Sequence, residues 1–232
     1  MSIFLSFIGG SANAEYIRYS SGTGFFVTHF GHILTNNHVV ANCERAKING
    51  DNVSAGAIIV ARDTEHDLAL LQTMLNNSHK AYFNSMRNTL KKGDPVVLVG
   101  YPGNSWMKNR EPVVRDSRII EVKGPIGEKK WLQFEDAAQM GNSGGPLLDS
   151  AGNVVGVIVA KTMLQLRNNF TGEKITRKSD LAISLPVVKD FLLLNNVRYQ
   201  TADSGIYLSP DRVAARTREF IVNITCKLQE SK

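Results

Sequence analysis

Apolar and polar positions alternate along much of this chain in short runs broken by turn residues, the period of β-strands with one face on a core. From Tyr16 to about Leu75 the pattern reads strand, turn, strand. Phe25-Phe26-Val27-Thr28 and His32-Ile33-Leu34-Thr35 flank a turn at Phe30-Gly31, and Asn49-Gly50-Asp51 is a hairpin signal between Ala46-Lys47-Ile48 and Val53. Ala57–Ala61 and Leu68–Gln72 complete this series. Residues 73–92, rich in Asn, Lys and Ser, carry no clear apolar period and read as a crossover. A second series follows at Pro95–Gly100, Val113–Val122, Trp131–Phe134, Pro146–Leu148, Val154–Ala160 and Leu181–Ile183. Helical spacing occurs at Pro186–Asn195, and Ser209-Pro210 reads as N-cap and first residue of a short helix through about Arg218. Phe220–Cys226 reads as a last strand. Short strands with regular turns predict an all-β barrel architecture, not βαβ units.

A length of 232 residues allows one or two compact domains. With 43% apolar and 21% charged residues the composition is that of a globular chain. The net charge of +6 is spread along the chain, and no aromatic residues interleave with a basic run, so a nucleic-acid partner is not expected. Ser2–Ala14 resembles the end of a secretory signal, a short apolar run before the small-x-small pattern Ala12-x-Ala14, although no basic residue precedes it. That run is too short to span a membrane, and no insertion is expected. The expected location is periplasmic or secreted, with the cytoplasm as the alternative.

Gly141-Asn142-Ser143-Gly144-Gly145-Pro146-Leu147 is the stretch richest in chemistry. A serine hydroxyl becomes a useful nucleophile when a base takes its proton and donors meet the developing oxyanion. The glycines permit a tight turn in which the N–H groups of Gly141 and Ser143 point inward. An ordinary Gly-Asn-Ser-Gly turn is the simpler alternative. Upstream, Leu34–Val40 presents His38 after a strand, and Asp67 sits just before the apolar run Leu68–Leu71, where a carboxylate can hold an imidazole in one tautomer. Asp63 is the rival carboxylate and His66 the rival imidazole. His29, His32 and His38 lie close in sequence, but the odd separation of His29 from the other two along a strand and the lack of a completing ligand argue against a metal site. His79 reads as a solvated loop residue.

The order His38, Asp67, Ser143 is the chain order of the chymotrypsin fold. With Gly22-Thr23-Gly24-Phe25-Phe26-Val27, Leu34–Val40, Asp67–Leu71, Val99-Gly100-Tyr101-Pro102-Gly103 and Gly141–Leu147, the sequence resembles trypsin-like serine proteases of the bacterial HtrA/DegP type. The resemblance covers roughly residues 20–190. It implies two antiparallel six-stranded β-barrels, chymotrypsin-like, here followed by a short C-terminal helix and an extra strand. The corresponding division is 1–14, a signal remnant; 15–90, a barrel with His38 and Asp67; 91–195, a barrel with Ser143; and 196–232, a helix-strand extension.

The resemblance makes Ser143 the nucleophile, His38 the general base and then acid, Asp67 the group orienting it, and the amides of Gly141 and Ser143 the oxyanion hole. The implied activity is that of a serine endopeptidase acting on proteins or peptides, without cofactor or metal; a silent peptide-binding protein using the same cleft is the alternative. Asn142 stands where digestive relatives carry an aspartate, so no zymogen ion pair is expected. The implied specificity pocket involves Ala137, Ala138, Val159 and Ala160, with Leu181 nearby. With no acidic residue from Ala137 to Ser143, a small or medium apolar residue before the scissile bond is expected. Only 37 residues follow Asn195, too few for the PDZ module of many relatives and not needed to finish two barrels. Phe220, Val222, Ile224 and Cys226 alternate with Ile221, Asn223 and Thr225. The first set should face a core, and Cys226 is expected to bond Cys43, which follows the turn bearing His38. Two unpaired buried thiols remain the alternative.

Overall fold

The computed structural model describes residues 19–43, 45–51, 53–85, 90–103, 111–122, 131–135, 137–167, 174–205 and 207–227, with side chains described outside 160–179. The expected signal remnant at 1–14 and the side chain of Ala160 therefore lie outside the described residues.

Two six-stranded β-barrels form the fold. The first contains β1 (Tyr19–Phe26), β2 (His32–Asn36), β3 (Arg45–Asn49), β4 (Ser54–Asp63), β5 (Leu68–Gln72) and β14 (Ile221–Lys227). They close in the order β1-β14-β3-β4-β5-β2. The strand expected as an addition is thus the sixth strand of the first barrel. It pairs antiparallel with β1 from Tyr19↔Lys227 to Phe25↔Ile221, and with β3 at Asn223↔Asn49 through Thr225↔Lys47.

The second barrel contains β7 (Pro95–Gly100), β8 (Val113–Glu121), β9 (Trp131–Phe134), β10 (Pro146–Leu148), β11 (Val154–Arg167) and β12 (Lys174–Ser184). The order β10-β7-β8-β9-β12-β11 closes through β10–β11. Two short strands, β6 (Tyr82–Asn84) and β13 (Gln200–Ala202), add on in parallel beside β11. Helix α1 (Asn37–Val40) follows β2, α2 (Leu185–Leu194) follows β12, and α3 (Pro210–Arg218) precedes β14. Both α2 and α3 start with proline in the first turn, where its missing N–H costs nothing. Among the described residues no helix is long and apolar enough to cross a membrane.

Strand β7 shows how the two cores divide. Val96 and Leu98 enter the second barrel with Ile119, Leu132, Phe134, Leu147 and Ile158. Val97 and Val99 point the other way, into a cluster shared with Phe25, Phe26, Leu34 and Leu71 of the first barrel. A period-2 strand buried on both faces reads as a continuous apolar run, and Pro95–Gly100 is such a run. The barrels are joined by apolar packing.

Candidate active site

His38 sits in the four-residue helix α1 at the end of β2. Asp67 closes the β4–β5 turn in the left-handed region at φ 56°, a conformation that short polar Asp tolerates better than most residues. Asp67 grips α1 twice: Oδ1 accepts the His38 backbone N–H at 2.9 Å and Oδ2 pairs with His38 Nδ1 at 2.7 Å. The Asp67 carbonyl accepts Asn37 N–H at 3.1 Å and Asn36 Nδ2 at 2.9 Å. In the tautomer with its proton on Nδ1, His38 donates to the Asp67 carboxylate and leaves Nε2 as an acceptor. The His38 side chain is 48% exposed.

The rival pair is also a pair. Asp63 Oδ2 contacts His66 Nδ1 at 2.7 Å, and Asp63 Oδ1 accepts the backbone N–H groups of Glu65 and His66. Partial burial alone would raise the Asp63 carboxyl, but these His66 and Glu65 contacts hold it below its ordinary value. Asp63 and His66 therefore staple the turn that carries Asp67. Beside them, Arg62 donates to Asn37 Oδ1 at 3.0 Å and to the carbonyls of Val40 and Cys43 at 2.8 and 3.0 Å. A guanidinium at those carbonyls satisfies the end of α1.

The other histidines have different partners. His29 Nδ1 meets the Asn77 carbonyl and its Nε2 meets Lys80 Nζ, His32 Nδ1 meets Thr28 Oγ1, and His79 pairs with Glu219 at 2.8 Å. His79 is a half-exposed loop residue, as read, whose ring also contacts the Glu219 carboxylate. Among the described residues no cluster of His, Cys, Asp and Glu suits a metal.

Ser143 lies on a turn from the second barrel that is built against the first. Gly144 has φ 83°, and a Cβ there would meet Thr35 Oγ1 at 2.2 Å and Asn36 N at 2.9 Å. Only glycine lets this turn pack on the strand end leading to His38. Gly141 has φ 98°, and its Cβ would strike the Tyr101 carbonyl at 2.4 Å. Its lack of a side chain thus admits the backbone of Tyr101, whatever it also does for a substrate. The far end of the turn is held by Gly144 N–H to Ile158 O and Ile158 N–H to Gly145 O, each 2.9 Å. Among the described residues no acceptor takes the N–H of Gly141 or Ser143. Ser143 is only 4% exposed, and no hydrogen bond joins it to His38 among the described residues. Asn142 is buried with its Oδ1 unpartnered among the described residues, so an aspartate there would be a buried, unpaired charge.

Thr23, which drew no separate attention in the sequence, ties the barrels together at this turn. Its N–H donates to Ser143 O at 2.8 Å, its hydroxyl donates to Gly141 O at 2.7 Å, and the same oxygen accepts Tyr101 N–H at 3.0 Å. Thr23→Val should therefore cost about 2 kcal/mol or more in urea unfolding, because it strands a buried donor and acceptor. Thr23→Ser, which keeps the hydroxyl, should lose far less.

Of the expected pocket residues, Ala138 is 1% exposed and packs in the second core, while Ala137 and Val159 are half-buried. The structure joins Cys43 and Cys226 by a disulfide, with Cα atoms 5.8 Å apart. It links the segment after α1 to β14.

Residues 22–157 match the family model described as a trypsin-like peptidase domain. The chain belongs to this family. It is 31% identical over 217 residues to a protein of Sinorhizobium fredii (strain NBRC 101917 / NGR234) named "Uncharacterized protein y4bJ", covering 90% of this chain and 32% of that one. It is 28% identical over 174 residues to the serine endoprotease DegS of Haemophilus influenzae (strain ATCC 51907 / DSM 11121 / KW20 / Rd), covering 74% and 48%. The chain thus spans about a third to a half of these relatives. Among solved structures, the HtrA-type protease AlgW with decapeptide superposes with a TM-score of 0.60 at 25% identity, over 74% of this chain and 50% of that one.

Proposed function

We propose that this chain is a serine endopeptidase that cleaves peptide bonds through an acyl-enzyme. The observation that carries the reading is the His38 Nδ1–Asp67 Oδ2 contact of 2.7 Å on an exposed imidazole, beside a glycine turn that brings Ser143 against the same strand end. His38 Nε2 takes the Ser143 hydroxyl proton as Oγ attacks the scissile carbonyl. The amides of Gly141 and Ser143 donate to the oxyanion, a contribution of about 3–4 kcal/mol for such donors. His38 then protonates the leaving amine, and water, deprotonated by His38, releases the acid. The disulfide fits an oxidising compartment, so we place the chain in the periplasm or outside the cell.

A fluorophosphonate probe tests this reading. The wild type should be labelled and Ser143→Ala should not be, with the same circular dichroism. Labelling that persists in Ser143→Ala would reject Ser143 as the nucleophile. The second reading, a silent peptide-binding protein, is favoured by the low exposure of Ser143 and its missing hydrogen bond to His38. A folded wild type that resists the probe yet binds an unfolded casein would establish it.

A further inference from the structure

We propose that Asp180 is a positioning residue for the loop that leads into the Ser143 turn and thereby sets the selectivity for the residue before the scissile bond. The proposal rests on the serine endopeptidase reading and names a determinant that lies 37 residues beyond Ser143 in the chain.

Asp180 lies on β12 opposite Phe134 of β9 and is 1% exposed. A carboxylate in such a place is tolerated only with strong partners. Two of them are backbone amides: Asp180 Oδ2 accepts Ala137 N–H at 2.7 Å and Ala138 N–H at 2.6 Å. Bonds to an ionised acceptor are short and roughly twice as strong as neutral ones. From this latch the chain runs through Gln139 and Met140 to Gly141. Asn142 N–H returns to Gln139 O at 3.0 Å, Gly103 N–H meets Met140 O at 2.5 Å, and Thr23 holds Gly141 O. Asp180 thus anchors the upstream end of a segment whose downstream end is anchored by Ile158.

Two consequences follow from that place in the chain. The latch orients Ala137 and Ala138, which line or back the expected pocket. It also sets the approach of the Gly141 amide, three residues after Ala138. Misplacing such groups by about 1 Å can cost about 100-fold in rate. A trypsin-like role, in which a carboxylate binds a lysine or arginine side chain, uses the same atom differently. Here Oδ2 is already committed to two amides beneath a closed surface.

The test uses the full chain as wild type, Asp180→Asn and Asp180→Ala. Amide exchange of the 137–143 segment, read by mass spectrometry, is independent of activity. Ala137 and Ala138 should be protected in the wild type and exchange about 100-fold faster in Asp180→Ala, as expected for a lost local restraint. Kinetics on peptides varied only before the scissile bond should show kcat/KM about 100-fold lower in Asp180→Ala. The loss should be largest for Val, Ala and Ile, so that the ranking flattens. Asp180→Asn, whose amide oxygen can accept both N–H groups, should keep the ranking and most of the protection, with kcat down about 10-fold. A purely structural loss would scale all substrates equally, and that uniform result overturns the proposal. If Asp180→Ala fails to fold, Asp180→Asn decides: wild-type kcat for every peptide overturns the proposal. Wild-type cleavage after Lys or Arg that Asp180→Asn abolishes also overturns it. If the wild type is inert to peptides and probe, the endopeptidase reading fails, while the exchange result still reports the latch.

Discussion

Asp67→Asn should lower turnover about 10⁴-fold while the chain still folds. Asp67 Oδ2 accepts from His38 Nδ1 at 2.7 Å. An asparagine presenting its NH2 there would donate instead, so the imidazole would carry its proton on Nε2 and could not accept one from Ser143. The backbone should tolerate the change, because asparagine adopts the left-handed φ of 56° as readily as aspartate and its oxygen can still accept His38 N–H. The control is Asp63→Asn, which should cost stability with less than about a 10-fold loss of turnover, since Asp63 holds His66 and not His38. The sign of its pH effect follows. The Asp63 carboxyl lies below its ordinary value in the folded chain. Its contribution to stability is present above the unfolded pKa of about 3.9 and is lost as pH falls through the folded value. Urea midpoints against pH and kcat on a peptide substrate measure both variants. A crippled Asp63→Asn beside an active Asp67→Asn would mean that the wrong carboxylate was assigned.

Ending the chain before Phe220 should abolish folding. Strand β14 is not an ornament on a finished barrel but lies between β1 and β3, with hydrogen-bonded neighbours on both sides. Phe220, Ile221, Val222 and Ile224 are all nearly fully buried. At about 1.5–3 kcal/mol each their burial amounts to roughly 6–12 kcal/mol as an upper figure. That matches the whole stability of an ordinary domain, about 5–15 kcal/mol. The gap would also leave β1 and β3 as open edges prone to association. Circular dichroism and size exclusion should show an unfolded or aggregated product, and a monomer with native spectrum and cooperative melting would refute the argument. A graded version removes the disulfide alone. Its partners are 183 residues apart, so the entropic term is about 5 kcal/mol. The Cys43→Ala, Cys226→Ala double variant should fold with a lower urea midpoint. It should also lose some turnover, because Cys43 follows the helix that carries His38.

The local features were written into the chain. Period-2 apolar runs marked the strands, because a side chain that alternates faces must alternate polarity where only one face is dry. Proline after serine marked α3, and glycines marked the turn at Ser143. His38, Asp67 and Ser143 could be picked out because His38 follows one apolar run while Asp67 and Ser143 precede others, at points where a strand leaves or enters its barrel. Other features depended on which distant strands meet. Phe220, Val222, Ile224 and Cys226 were expected to face a core, yet Asn223 of the alternate set is also 1% exposed and donates to Gly22 O at 3.1 Å. Neighbouring strands alone do not bury a face, since β4 is flanked on both sides and stays exposed at alternate positions, so the covering of the second face of β14 is decided by tertiary packing. The partition between Asp67–His38 and Asp63–His66 depended on turn geometry, since all four residues had suitable chemistry. Thr23 belonged to the Gly22–Val27 stretch and Asp180 to no motif, and neither showed its role locally. Their roles arise from backbone groups 118 and 42–43 residues away, which only closure of the two barrels brings within hydrogen-bond reach.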